Sequence, residues 1–321
     1  MARIYDSITE LVGHTPLVEF HRLEKVLGLK GRIAGKLEYF NPAGSHKDRA
    51  ALEIIEQAES RGEISPEKTT LVEFTSGNMG IGIASVAAAK GYKFKVGIQE
   101  GVSIERKKLL EAYGSQIVNP PKELIAGVFE KGIEAFNDVY QWMLDTTPDS
   151  WTTRQLSNPD NVGAHYRHTG PEIWEDTDGD LAAVVAAVGT AGTIRGISDY
   201  IHEKTDKVKI FAVEPGADDK ILTGIHNFTD VPAERIPPSL KDGNALTKNV
   251  FDEVFVGDPE GAFQAARDVA KSDGILVGNS SGAALWGAEI VAKKPEYEGK
   301  NIVVIFPDTG LRYLSTKLFE D

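Results

Sequence analysis

Cysteine is absent from this chain of 321 residues, which excludes a disulfide framework, a cysteine-ligated zinc and a thiol nucleophile. The same absence suits a reducing compartment, so a cytoplasmic location is expected. No uninterrupted apolar run approaches the roughly 20 residues that cross a bilayer. The N-terminal "MARIYDSITELVGHTPLVEF" lacks a cationic start followed by an apolar stretch, so neither a membrane span nor a secretory signal is expected. Positive charge is also scarce, with 35 Lys and Arg against 48 Asp and Glu and a net charge of −13. Phosphate backbones are held mainly by Lys and Arg, so nucleic acid is not an expected partner. No metal site is expected either.

What is present is an ordinary globular composition, 41% hydrophobic and 26% charged, on a length that suits about two domains. Short apolar runs ending in glycine or proline lie at 32–38, 69–77, 93–99, 181–189, 208–216, 274–278 and 301–307. Helical patterns alternate with them, among them "KDRAALEIIEQAESRG", "IERKKLLEAYG", "IRGISDYIHEKT" and "PEGAFQAARDVAKSDG". Alternation of this kind makes βαβ units and mostly parallel sheets. The runs fall into two groups around a region from about 120 to 160. The expected fold is therefore α/β, with two lobes, each a mostly parallel twisted sheet flanked by helices, and a cleft between them. The lobes are expected at 1–149 and 150–321, with part of 12–38 crossing into the second. The proline-rich "DVPAERIPPSLKDG" at 230–243 reads as an irregular loop, since proline removes a donor and resists helix.

Three glycine-rich loops each follow a strand and precede a helix: "TSGNMGIG" at 75–82, "GTAGTIRG" at 189–196 and "GNSSGAA" at 278–284. In open α/β sheets, ligands bind where such loops gather at the carboxyl ends of strands. Backbone N–H groups and the hydroxyls of Thr190 and Thr193, at the start of a helix, suit a phosphate. A Walker A loop is excluded because no Gly-Lys-Ser/Thr ending occurs, and the Rossmann order of glycines is missing as well. "GNSSG" matches G-x-S-x-G, but the last histidine, His226, precedes Ser280. The histidine of an α/β-hydrolase follows its serine, so chain order argues against a serine hydrolase.

Lys47, in "GSHKDRA", sits at the expected start of a helix, where the macrodipole disfavours a cation and makes the neutral amine easier to reach. A neutral lysine can form a Schiff base. An amine, a separate phosphate cup and a polar serine loop together are what pyridoxal 5′-phosphate requires of a protein. Asp48 and Arg49 are read as holding the turn.

In order, "GHTPLVEF", "NPAGSHKDRA", "EFTSGNMGIGIA", "QLSNPDNVGAHYRHTGPEIWEDTDG", "VGTAGTIRG", "GILVGNSSGAA" and "PDTGLRYLST" resemble the successive motifs of the cysteine synthase (O-acetylserine sulfhydrylase) and cystathionine β-synthase family, the fold-type II pyridoxal-phosphate enzymes. The resemblance implies that Lys47 is the Schiff-base lysine and that Asn78 meets the phenolic oxygen of the cofactor. By the same resemblance Thr75, Ser76, Asn78, Met79 and Gln155 surround the substrate carboxylate. Gly189, Thr190, Ala191, Gly192 and Thr193 hold the phosphate, and Ser280 faces the pyridine nitrogen. The implied reaction is β-replacement, O-acetyl-L-serine plus sulfide giving L-cysteine through an aminoacrylate. The alternative is release of hydrogen sulfide from L-cysteine with water or a thiol as nucleophile, and a cofactor-binding protein without turnover is a distant third. The partners implied are a small amino acid, sulfide or a thiol, and a second copy in a homodimer.

Three departures from the family pattern stand out. Met79 replaces a threonine of the substrate loop. Ala191 replaces a glycine of the phosphate cup, which a methyl group tolerates if the local φ is negative. "TGIHNFTDVPAERIPPSL" at 223–240 replaces a shorter apolar loop and brings in His226, Asp230 and Glu234. These three either lie in solvent or tune the choice of nucleophile.

Overall fold

The computed structural model describes residues 4–75, 77–99, 104–126, 128, 133–219, 221–242, 245–247 and 249–320. In chain order its first half runs β1 (Leu17–Glu19), α1 (His21–Leu27), β2 (Arg32–Leu37), α2 (Lys47–Ser60), β3 (Thr70–Phe74), α3 (Asn78–Lys90), β4 (Lys93–Gly97), α4 (Ile104–Ala112), β5 (Gln116–Val118), α5 (Lys122–Ile125), α6 (Ile133–Asp145) and β6 (Ser150–Thr152). Then follow α7 (Pro159–Ala164), α8 (Gly170–Asp176), β7 (Ala183–Ala187), α9 (Gly192–Lys204), β8 (Lys209–Pro215), the short β9 (Lys241–Asp242) and β10 (Ala245–Leu246), β11 (Glu253–Gly257), α10 (Pro259–Asp273), α11 (Asn279–Lys293) and β12 (Asn301–Phe306).

Two main sheets result. One has the order β5-β4-β3-β6 and is parallel throughout. The other has the order β1-β2-β12-β7-β8-β11, parallel except where β1 runs against β2. Residues 17–37 thus join the strands of the second half: Arg32 pairs with Asn301 and Leu37 with Phe306. Ser150–Thr152 instead continues the smaller sheet beside Thr70–Val72. The central strands are apolar on both faces because helices cover both, and "NIVVIF" of β12 is buried at every residue but its first.

Six of the seven expected strands are present. The seventh, 274–278, is not one: Val277 makes only a single bridge, to Thr309. Its backbone partners are helix α10 and the loop after β12, through Ile275 N–H to the Val269 carbonyl and Gly278 N–H to the Asp308 carbonyl. Ile275 and Val277 are apolar because they pack in the core. The loop at 230–242 carries two short 3₁₀ turns, Ala233–Arg235 and Pro238–Leu240.

The start of α2 is set by close packing. Ala50, Ala51, Ile54, Ile55 and Ala58 recur at helical spacing and are fully buried, facing α3. A Cβ on Gly82 of α3 would lie 3.0 Å from the Lys47 carbonyl oxygen. Only glycine lets the two backbones meet there, and this contact fixes where Lys47 emerges.

Beneath α2 lies a buried ionic cluster. Arg49 donates from Nε to Glu38 at 2.7 Å, from Nη1 to Glu172 at 2.6 Å, and from Nη2 to Glu38 at 2.9 Å, Glu172 at 2.6 Å and Thr15 at 3.1 Å. Lys36 Nζ adds ion pairs to Glu172 at 3.0 Å and Asp176 at 2.9 Å. The guanidinium is buried and every one of these bonds is to the protein itself, so Arg49 is structural, as the sequence suggested.

Candidate active site

Lys47 is the first residue of α2. Its N–H donates to Ser45 Oγ at 3.2 Å, Ser45 pairs with Asp308, and the His46 N–H donates to the Pro307 carbonyl at 2.9 Å. The lysine is thereby tied to the end of β12. Lys47 Nζ donates to Thr190 Oγ1 at 3.2 Å. Burial lowers its pKa from the usual 10.5 to about 8, with no carboxylate contributing to hold the proton on. A neutral amine is therefore accessible near physiological pH.

Thr190 belongs to the loop that joins β7 to α9. Its Oγ1 also accepts from Asn161 Nδ2 at 3.1 Å, and the same Nδ2 donates to the Gln155 carbonyl at 2.8 Å. Ser239 Oγ donates to the Thr190 carbonyl at 2.9 Å. With two donors already aimed at its oxygen, the Thr190 hydroxyl keeps its own hydrogen for another acceptor. Thr193 Oγ1 lies 3.2 Å from His46 Nδ1 and 3.1 Å from His165 Nε2. The condition of a negative φ at Ala191 is not met: its φ is +64° and its ψ 0°. A left-handed alanine costs about 1–2 kcal/mol. It stands immediately before α9, where the chain turns from β7 into the helix. Gly189 closes the other side, where a Cβ would meet the Gly224 carbonyl oxygen at 2.8 Å.

Asn78 opens α3. Its Nδ2 donates to Asp308 Oδ2 at 2.8 Å and its Oδ1 accepts from Arg312, which also donates to the Ala43 carbonyl. Tyr313 O–H donates to the same Asp308 oxygen at 2.7 Å. Burial pushes the Asp308 carboxyl up against the pull of these partners. In α11, Ser281 Oγ donates to the Asp308 carbonyl at 3.3 Å and Asn279 Nδ2 to Thr223 Oγ1 at 3.2 Å. Ser280, between them, has no side-chain hydrogen bond among the described residues. A series of contacts therefore joins the cup, Lys47, Asn78 and the start of α11.

Thr75 follows β3, and its Oγ1 accepts the Gly77 N–H at 3.4 Å. Ser76 lies outside the described residues. Met79 is 2% exposed and belongs to the cluster between α2 and the smaller sheet, so its side chain packs in the core and only its backbone is left to contact a ligand. Buried Glu73 accepts from the Phe74 N–H at 3.0 Å and from Thr153, and is bonded by the Gln155 backbone. Burial pushes its carboxyl up to about 7. It clamps the segment that carries Gln155 to the end of β3.

In the long loop, the His226 N–H donates to the Val188 carbonyl at 2.8 Å, one residue before the cup. The residue is exposed, yet enough protein surrounds it that burial, then Arg235, then Lys47, lower its pKa. Asp230 and Glu234 are exposed. Buried Glu214 anchors the loop by accepting from the Phe228 and Thr229 N–H groups at 2.7 and 3.1 Å.

Sequence reasoning passed over His46, Asn161, His165, Glu73, Asp308 and Arg312. All of them lie in quoted motifs, and Asp308 follows a strand at its carboxyl end, which was the available signal.

An amine able to be neutral, a hydroxyl with a spare hydrogen and a helix start fit an aldehyde that carries a phosphate. This fold and donor set define a pyridoxal-phosphate enzyme. A sequence profile described as "Pyridoxal-phosphate dependent enzyme" matches residues 8–308, and the chain belongs to that family. It is 40% identical over 334 residues to cysteine synthase A of Escherichia coli, covering 100% of this chain and 97% of that one. The crystal structure of O-acetylserine sulfhydrylase isoform 3 of Entamoeba histolytica is similar with a TM-score of 0.84 at 37% identity, covering 99% and 92% of the two chains. A hydrogen sulfide-producing enzyme of Fusobacterium nucleatum is similar with a TM-score of 0.83 at 30% identity, covering 98% and 99%.

Proposed function

We propose that this chain catalyses β-replacement, converting O-acetyl-L-serine and sulfide into L-cysteine. The observation that carries the reading is the Lys47 amine, lowered to about 8 and paired with a hydroxyl where an ion pair would hold it charged. Thr190, Thr193 and the first N–H groups of α9 would hold the phosphate, together with Gly189, Ala191 and Gly192. Asn78 would meet the phenolic oxygen, and Ser280 the ring nitrogen. Thr75, Ser76, Gln155 and the backbone at Met79 would receive the substrate carboxylate.

When bound, pyridoxal phosphate supplies an aldehyde for the substrate amine and a ring that draws electrons from the α-carbon. Lys47 Nζ, once neutral, is the base for the α-proton. Ser280 offers a hydroxyl, which does not hold a proton on the ring nitrogen as a carboxylate would. That choice favours loss of a β-leaving group over transamination.

The second reading, hydrogen sulfide release from L-cysteine, is supported by His226. Its lowered pKa leaves the ring neutral and able to accept a proton from water or a thiol. We further read the chain as two lobes at 1–149 and 150–321, with part of 12–38 crossing into the second and Ser150–Thr152 pairing with the first, as a homodimer and as a cytoplasmic protein. No described helix is long and apolar enough to cross a membrane.

The test incubates purified, cofactor-loaded protein with O-acetyl-L-serine and sulfide, and separately with L-cysteine alone, and identifies products by mass. L-cysteine from the first mixture, abolished in Lys47→Ala, is the expected result. Sulfide from the second mixture with no product from the first would replace the first reading by the second.

A further inference from the structure

Four side chains beside the cup form a row that the reaction as described does not use. Thr169 Oγ1 lies 2.9 Å from His165 Nδ1, His165 Nε2 lies 3.1 Å from Thr193 Oγ1, and Thr193 Oγ1 lies 3.2 Å from His46 Nδ1. His165 and Thr169 are fully buried and Thr193 is nearly so. The two imidazole centroids are 6.0 Å apart. Burial and the charge of Lys47 pull both imidazoles well below the usual 6.5, so each is neutral and carries one N–H.

Proton counting then decides the row. A hydroxyl has one hydrogen to give and room to accept two. If Thr193 spends its hydrogen on either histidine, it has none for an anion in the cup. One arrangement frees it while satisfying every member. Thr169 O–H donates to His165 Nδ1, His165 Nε2–H donates to Thr193 Oγ1, and His46 Nδ1–H donates to the same oxygen from the other side. We infer that His46 is a positioning residue that donates from Nδ1 to Thr193 and so turns the Thr193 hydroxyl toward a phosphate in the cup. The inference rests on the reading that residues 189–193 hold phosphate.

His46 is well held for this task. Its N–H is bonded to the Pro307 carbonyl, and it is the residue just before α2, so its ring and Lys47 move together. The same short stretch would then serve both ends of the cofactor, the amine directly and the phosphate through Thr193.

The experiment titrates the full-length protein, stripped of cofactor, with pyridoxal 5′-phosphate and separately with pyridoxal, following fluorescence. The ratio of the two affinities isolates the phosphate. His46→Leu, which has no donor, is expected to lower that ratio about tenfold. His46→Asn, whose Nδ2 can stand near the position of Nδ1, is expected to stay within about twofold of the parent. Thr193→Val should lower the ratio at least as far as His46→Leu. Equal weakening of both ligands in His46→Leu, with the Thr193→Val loss intact, would overturn the role of His46 alone. An unchanged ratio in Thr193→Val would overturn the phosphate reading and this inference with it. Imidazole ¹⁵N resonances give a second readout on the loaded protein. A proton on Nδ1 of His46 is expected, and a proton on Nε2 alone would refute the proposed row.

Discussion

Replacing Arg49 by methionine tests how the lysine is supported. The guanidinium makes five hydrogen bonds to Glu38, Glu172 and Thr15, and its side chain and that of Glu38 are 1% and 0% exposed. Methionine fills similar volume but leaves two buried carboxylates with only Lys36 as a cation. Breaking a buried pair by removing one partner costs about 3–5 kcal/mol. The loss should appear as a lower urea midpoint at unchanged slope. A pH arm separates charge from packing. Burial pushes the Glu172 carboxyl up, but hydrogen bonds and charge from Arg49, then Lys36, pull it down from 4.5 to about 2. A carboxyl with a depressed folded pKa stabilises the fold above its unfolded pKa, and that contribution is lost as pH falls from about 4.5 toward 2. The shift corresponds to about 3 kcal/mol, and in Arg49→Met this acid-dependent loss should flatten. A variant within about 1 kcal/mol of the parent, with the same acid profile, would refute the reasoning.

Three further outcomes follow from the same geometry. Uptake of pyridoxal phosphate by the stripped protein should accelerate as pH rises through about 8 and then level, because Lys47 becomes neutral there; a rise only near the ordinary value of 10.5 would show that burial does not tune it. Gly82→Ala should cost about 1–3 kcal/mol in urea unfolding and weaken cofactor binding, since the new methyl meets the Lys47 carbonyl at 3.0 Å; parent-like behaviour in both measurements would contradict that contact. Asp230→Ala and Glu234→Ala should leave rates with sulfide, cysteine, homocysteine and water unchanged, because both residues are exposed; a changed preference would give them a catalytic part.

Much of this architecture was legible because local patterns and tertiary demands coincide. Runs such as "NIVVIF" are apolar for the same reason that they are central strands, and the glycine loops after β3 and β7 sit where parallel sheets place ligands. The misreading at 274–278 arose because burial and strand pairing leave the same apolar signature. The short strands β1, β5 and β6, of three residues each, carry too few residues to show a period. In the site, Lys47 could be found from its neighbours in sequence, whereas Arg49 with Glu172 and Asn78 with Asp308 are pairs separated by 123 and 230 residues. The positive φ of Ala191 is set by the turn into α9, and alanine itself gives no sign of it.

The central claim is that Lys47 is the residue that holds the cofactor aldehyde. The most direct measurement loads the protein with pyridoxal phosphate, reduces it with borohydride and maps the modified peptide by mass. The pyridoxyl phosphate should be found on Lys47, within "GSHKDRA". Modification of a different lysine, or of none, would contradict the account.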